Sequence, residues 1–150
     1  MRSALRKANN QQKSKKIHEF ANKIIKIAPY EFEPYMYKFS DYLKHGKTEK
    51  ALKLINYYQK ALKHYGIISV DTTSSFFSST HNQITSDTNA YYFIALLPNN
   101  KISKAQQLLE KHKKNINVMT IVSLANVAKI GKCKNTLTKI PKKLFIDNLK

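Results

Sequence analysis

Residues 33–67, EPYMYKFSDYLKHGKTEKALKLINYYQKALKHYGI, decide how the chain folds. In the first half, Tyr35, Phe39, Tyr42 and Leu43 fall at i, i+4, i+7 and i+8, one face of a 3.6-residue period. In the second half, Ala51, Leu54, Ile55, Tyr58, Leu62 and Tyr65 form another stripe of that kind. His45-Gly46-Lys47-Thr48 breaks the pattern between them. Glycine reaches the left-handed conformation that ends a helix, and Thr48 followed by Glu49 suits the start of the next one. Pro34 and Gly66 mark the outer limits of the pair. The spacing therefore predicts a helical hairpin. Two amphipathic helices cannot cover both of their apolar faces alone, so a neighbouring unit is required.

Upstream, Ile17, Phe20, Ala21, Ile24 and Ala28 recur at helical spacing until Pro29. Residues 1–16 are polar and basic, and they read as a flexible or weakly helical arm, with residues 17–150 forming one helical domain. The arm has six basic residues and no acid before Glu19, a pattern shared by a mitochondrial targeting segment and an ordinary basic arm. Downstream, residues 69–89 are rich in Ser and Thr. They fit either a long surface loop or a short helix turning Phe76 and Phe77 inward. The helix is favoured, because two adjacent exposed Phe side chains make an apolar patch. Ala90, Phe93, Ile94 and Leu97 then form a stripe that stops at Pro98. Ala105, Leu108 and Leu109 form the next, and Val118, Ile121, Val122 and Ala125 a third that ends near Gly131. Pro141 breaks the weaker pattern after Lys132, before a last short stretch with Leu144, Phe145 and Leu149.

Three turns resemble one another: HGKTEKALKLI (45–55), NNKISKAQQLL (99–109) and IGKCKNTLTKI (130–140). Each has Gly or Asn, then Lys, then a small residue five positions after the turn. The small residue lets the second helix approach the first closely. The first two turns lie 54 positions apart and the last two 31. A period in the thirties is the mark of stacked helical hairpins. In these residues, above all Gly46-Lys47 followed by Ala51, the chain resembles the tetratricopeptide and pentatricopeptide repeat families, over roughly residues 33–140. The passage Gly66-Ile67 to Asp71-Thr72 looks more like the second. The resemblance implies an α-solenoid. It does not extend to a base-reading code: the positions that would read bases hold Met36-Tyr37, Ala90-Tyr91 and Ile121-Val122, which cannot hydrogen-bond a base edge selectively.

The 150 residues suffice for one domain with a core, since 42% are hydrophobic. Against 27 basic residues stand nine acidic ones, a net charge of +18 that calls for a polyanionic partner. Arg occurs only at positions 2 and 6. Lys acts on phosphate as a hydrated point charge, whereas Arg supplies the fork that reads bases, so backbone contacts are expected over sequence readout. Arg2, Arg6, Lys7, Lys13, Lys15 and Lys16 mark one basic segment; Lys132, Lys134, Lys139, Lys142 and Lys143 mark another. Both are candidate nucleic-acid contacts, their affinity falling steeply with salt.

The remaining chemistry is sparse. Nine Tyr and seven Phe could stack on bases, but most occupy core-like positions. The five His are scattered without metal-ligand spacing, and the single Cys133 lies between two lysines with no partner for nucleophilic catalysis. Three glycines build no phosphate-cradling loop. No enzymatic activity, metal or cofactor is expected. No stretch of about eighteen apolar residues is present, so no membrane span is expected either.

The expected fold is all-α, an antiparallel helical-hairpin array of six to eight helices forming a short solenoid. The expected function is RNA association as a small component of an organellar, mitochondrial ribosome or related ribonucleoprotein, with rRNA and neighbouring proteins as partners. A tetratricopeptide-type adaptor for a peptide or partner protein is the alternative, and peripheral contact with an anionic membrane a third reading.

Overall fold

A computed structural model describes residues 2–67, 79–112 and 115–130, and these form seven α-helices and no strand. They are α1 (Arg2–Asn10), α2 (Ser14–Ile27), α3 (Phe32–Lys44), α4 (Thr48–His64), α5 (Ser79–Leu96), α6 (Ile102–Lys111) and α7 (Val118–Ile130). Each of the first five packs against the next in the chain, and α7 packs against both α5 and α3. That last contact turns the chain back on itself.

Four helix ends share one backbone device; at Gly66, with φ 70°, Ile67 donates to Leu62 at 2.9 Å and Gly66 to Lys63 at 3.1 Å, and the other three lie in short connections between helices. Gln12, Gly46 and Asn100 adopt positive φ angles of 54°, 71° and 58°. The amide of the next residue reaches back five positions: Lys13 to Ala8 at 3.0 Å, Lys47 to Tyr42 at 2.8 Å, Lys101 to Leu96 at 3.1 Å. The positive-φ residue itself donates three positions back, to Asn9, Leu43 and Leu97. These paired bonds satisfy carbonyls orphaned at the helix end and reverse the chain. Four residues beyond each lysine, Ile17, Ala51 and Ala105 donate back to its carbonyl at 2.9–3.1 Å and are buried against the hairpin partner.

Gln12 and Gly46 lie 34 positions apart. The first of these turns escapes a search for Gly or Asn, because glutamine seldom takes a left-handed backbone. The turn expected near Gly131 lies outside the described residues, as do Phe76, Phe77 and the stretch from Lys132 to Lys150. The Ser/Thr-rich segment is helical from Ser79 onward, as part of α5.

Two apolar clusters hold the helices. Leu5 and Ala8 of α1 meet Ile17, Ala21 and Ile24 of α2 in the smaller one. Residues 2–10 thus form a helix packed on α2, and α2 itself begins at Ser14. One leucine and one alanine three positions apart are a stripe too faint to read within a basic, polar stretch. The larger cluster runs from α3 through α4 and α5 to α6 and α7. Tyr35, Phe39 and Leu43 face Ala51, Ile55, Tyr58 and Leu62, all within 1% of complete burial. A leucine so enclosed contributes about 1.5–3 kcal/mol by leaving water. The stripe on α4 is rotated from the expected one: Leu52 is buried, Leu54 only partly, and Tyr65 is half exposed.

Helix α5 is the central strut. Every residue from Ala90 to Leu97 is buried except Tyr92, which is partly so. A helix apolar on every side is expected where neighbours surround it, here α4, α6 and α7. Its N-terminal half fixes α7 through polar contacts. Asn117 receives the Thr120 amide at 3.1 Å as a cap, and its own side-chain amide donates to Asp87 at 2.8 Å.

Candidate nucleic-acid interface

The two arginines and the lysines of the N-terminal segment have different fates. Arg6 lies on α1 opposite the start of α3. Its guanidinium donates to both carboxylate oxygens of Glu33, at 2.6 and 3.1 Å, while Arg2 pairs with Glu31. The Arg6 bond is the main reason why the Glu33 carboxyl sits below its ordinary pKa. These pairs fasten α1 to the α2–α3 connection and occupy the forks that would read a base edge. Lys7, Lys13, Lys15 and Lys16 are exposed, and none of them forms an ion pair among the described residues. Lys132, Lys134, Lys139, Lys142 and Lys143 lie outside the described residues.

A buried carboxylate joins the first two turns. Asp41, on the last part of α3, is 8% exposed. The Ser14 hydroxyl donates to one of its oxygens at 2.8 Å, and His18 Nε2 lies 2.8 Å from the other. His45, just past the end of α3, accompanies the group with Nδ1 3.5 Å from the carboxylate. The His18 ring stacks on Tyr42 at 4.7 Å. Burial lowers the His18 pKa below its ordinary value, outweighing the pull of Asp41, and the charges of Lys38 and Lys47 push the same way. His18 is thus neutral near pH 7, an Nε2–H donor to Asp41 and a bond between helices. The third turn is tied in turn to the second: the Asn99 side-chain amide donates to the Thr48 carbonyl at 3.0 Å.

The sequence pattern does not reveal Asp41 with Ser14 and His18, which lie 27 and 23 positions from it and reach it only when α2 packs on α3. The lysines after the second and third turns, Lys47, Lys50, Lys101 and Lys104, were also passed over. The recurrence of Lys at these turns was the available signal.

The aromatic residues divide between core and surface, and Tyr57 and Tyr65 are more exposed than their spacing predicts. Tyr35, Tyr58 and Tyr91 are buried, with burial pushing each hydroxyl's pKa far up. Two of those hydroxyls donate to carbonyls of the α2–α3 connection, Tyr35 to Pro29 at 2.7 Å and Tyr58 to Tyr30 at 3.4 Å. They are packing groups with a polar tether. Tyr57 is 54% exposed and borders a groove of about 410 Å³ between α2, α3 and α4. Asn22, Ile25, Lys26, Lys38 and Leu54 also line it. Lys38 donates to Asn22 there at 2.7 Å, and burial lowers its pKa.

No helix among the described residues is long and apolar enough to cross a membrane. No family model matches the chain, and neither the curated proteins nor the solved structures contain a match to it.

Proposed function

We propose that this chain is an RNA-associated structural protein, a small component of an organellar, mitochondrial ribosome or related ribonucleoprotein, that grips rRNA phosphates through lysines. The observation that carries this reading is the use of its charges. The chain has a net charge of +18, yet both arginines are consumed by internal ion pairs and the N-terminal lysines are left facing solvent. Unpaired lysine is suited to phosphate tracking, and a surplus of this size repels itself until a polyanion neutralises it. The shared turns at Gln12, Gly46 and Asn100 support the helical-hairpin repeat on which the solenoid reading depends. In that picture specificity comes from the assembly, with neighbouring proteins as further partners.

Sedimentation of tagged protein from lysate, with and without RNase and across a salt series, tests the proposal. Co-migration with ribosomal particles that RNase or high salt abolishes is the expected result. Migration as a small complex insensitive to both refutes it. A second reading, a tetratricopeptide-type adaptor, draws on the groove beside Tyr57, whose mixed apolar and amide lining suits a peptide. That second result would favour the adaptor.

A further inference from the structure

The three hairpin turns stand side by side. Ser14, the first residue of α2, reaches Asp41 near the second turn at 2.8 Å, and Thr48, the first residue of α4, receives Asn99 of the third turn at 3.0 Å. One edge of the molecule therefore collects the starts of α2, α4 and α6, held in register by side-chain bonds. At each start the same two positions carry lysine. Lys13, Lys47 and Lys101 precede the first helical residue, and Lys16, Lys50 and Lys104 stand three residues further on. All six are exposed, and none forms an ion pair among the described residues.

Local stability does not account for this placement. The start of a helix carries partial positive charge, and a cation there is unfavourable. The first turns of α2 and α6 hold no acid; that of α4 holds Glu49, which lies between Lys47 and Lys50 and pairs with Lys53 at 3.5 Å. The pattern occurs three times, at turns with the same backbone geometry. The opposite end of the array has the reverse arrangement, with Glu31 and Glu33 neutralising Arg2 and Arg6. Exposed lysines also stand at that end, Lys26, Lys63 and Lys111 in the last turns of α2, α4 and α6, where the helix dipole favours a cation.

We propose that this turn edge is the surface that tracks an RNA sugar–phosphate backbone, with the three lysine pairs engaging successive phosphates. The inference rests on the RNA reading above and adds to it the place of contact. Lysine ammonium groups on a relief set by fixed turns suit a chain of point charges, and the absence of arginine from the edge makes the contact independent of base identity. For six phosphates on a single strand, log K falls with log salt at a slope of about −4, a loss of roughly 300-fold between 50 and 200 mM.

The test compares three full-length proteins: wild type, a variant with the six lysines replaced by Gln, and a control with Lys23, Lys26, Lys53, Lys60, Lys63 and Lys111 replaced by Gln. The charge change is equal in both variants. Each is titrated into a fluorescein-labelled single-stranded RNA of mixed sequence at several salt concentrations, with anisotropy as readout. The expected result is tight wild-type binding with the slope above, a loss of at least 30-fold and a shallower slope in the edge variant, and less than 5-fold loss in the control. Wild-type binding that both variants weaken equally overturns the edge while leaving RNA association standing. No wild-type binding overturns both. Edge-dependent binding to phosphatidylserine vesicles with none to RNA also refutes the proposal in favour of a membrane partner. Should the edge variant not fold, lysine acetylation of wild type with and without RNA decides. RNA should protect the six edge amines and spare Lys23, Lys53, Lys60 and Lys63; protection of the second set instead overturns the proposal.

Discussion

Replacing Asp41 by Ala should cost the fold about 2–4 kcal/mol. The carboxylate is 8% exposed and receives Ser14 and His18, both at 2.8 Å. Its removal leaves a hydroxyl and an imidazole N–H facing a space the shortened side chain no longer fills. An unsatisfied buried donor costs about 1–3 kcal/mol, and the His18 side chain, 23% exposed, recovers part of that from water. For a domain of this size the sum corresponds to a fall in Tm of roughly 5–12 °C. Urea unfolding followed by far-ultraviolet circular dichroism measures it, with an unchanged m value showing that the unfolded state is the same. Asp41→Asn should be milder, about 1 kcal/mol, because the amide oxygen still accepts from Ser14 and His18 can change tautomer to accept the amide N–H. His45→Ala should cost about 0.5–1 kcal/mol, since its half-exposed ring lies 3.5 Å from the carboxylate and its Nδ1 bonds the Asp41 main-chain carbonyl at 2.9 Å. A double-mutant cycle with Ser14→Ala should return a coupling of about 1 kcal/mol. If Asp41→Ala unfolds within about 0.5 kcal/mol of wild type, the network does not hold α2 to α3 and the register of the first two turns needs another cause.

Three further outcomes follow from the same geometry. His18 has a folded pKa below its unfolded value, so the unfolded chain takes up the proton first: the contribution is complete above about pH 6.5 and fades as pH falls through the folded pKa. An NMR titration should place its Cε1 proton midpoint below 6.5, and a midpoint above that would reverse the sign. Leu5→Ala empties the fully buried contact between α1 and α2, at a cost of about 2–4 kcal/mol to that unit. Amide exchange in residues 2–10 should accelerate while α5 stays protected; equal acceleration in both would mean that the two clusters unfold as one. Gly46→Ala places a Cβ at φ 71° and should destabilise by about 1–2 kcal/mol in a thermal melt, whereas Asn100→Gly at φ 58° should be neutral or better. A neutral Gly46→Ala would show that the turn relaxes.

Periodicity alone was enough to determine the hairpin of residues 33–67. Of the expected stripe on the first helix Tyr35, Phe39 and Leu43 are buried and Tyr42 partly so, and the break falls at Gly46, where the backbone needs a positive φ. Local geometry is the reason: a 3.6-residue repeat and a left-handed turn are both written in adjacent residues. The all-helical class and the burial of Ala90, Phe93, Ile94 and Leu97 follow from the same logic. Whatever depended on distant residues meeting was decided by tertiary structure. The first hairpin was hidden because its turn uses Gln12 and its apolar stripe has two residues; only packing on α2 reveals it. On α4, Leu52 is buried and Leu54 only partly so, a choice that a stripe of six apolar residues leaves open. Charge followed the same division. Composition established the surplus of lysine. The partnering of arginine with Glu31 and Glu33, and the alignment of three turns into one edge, required side chains as many as 51 positions apart to come within hydrogen-bonding distance.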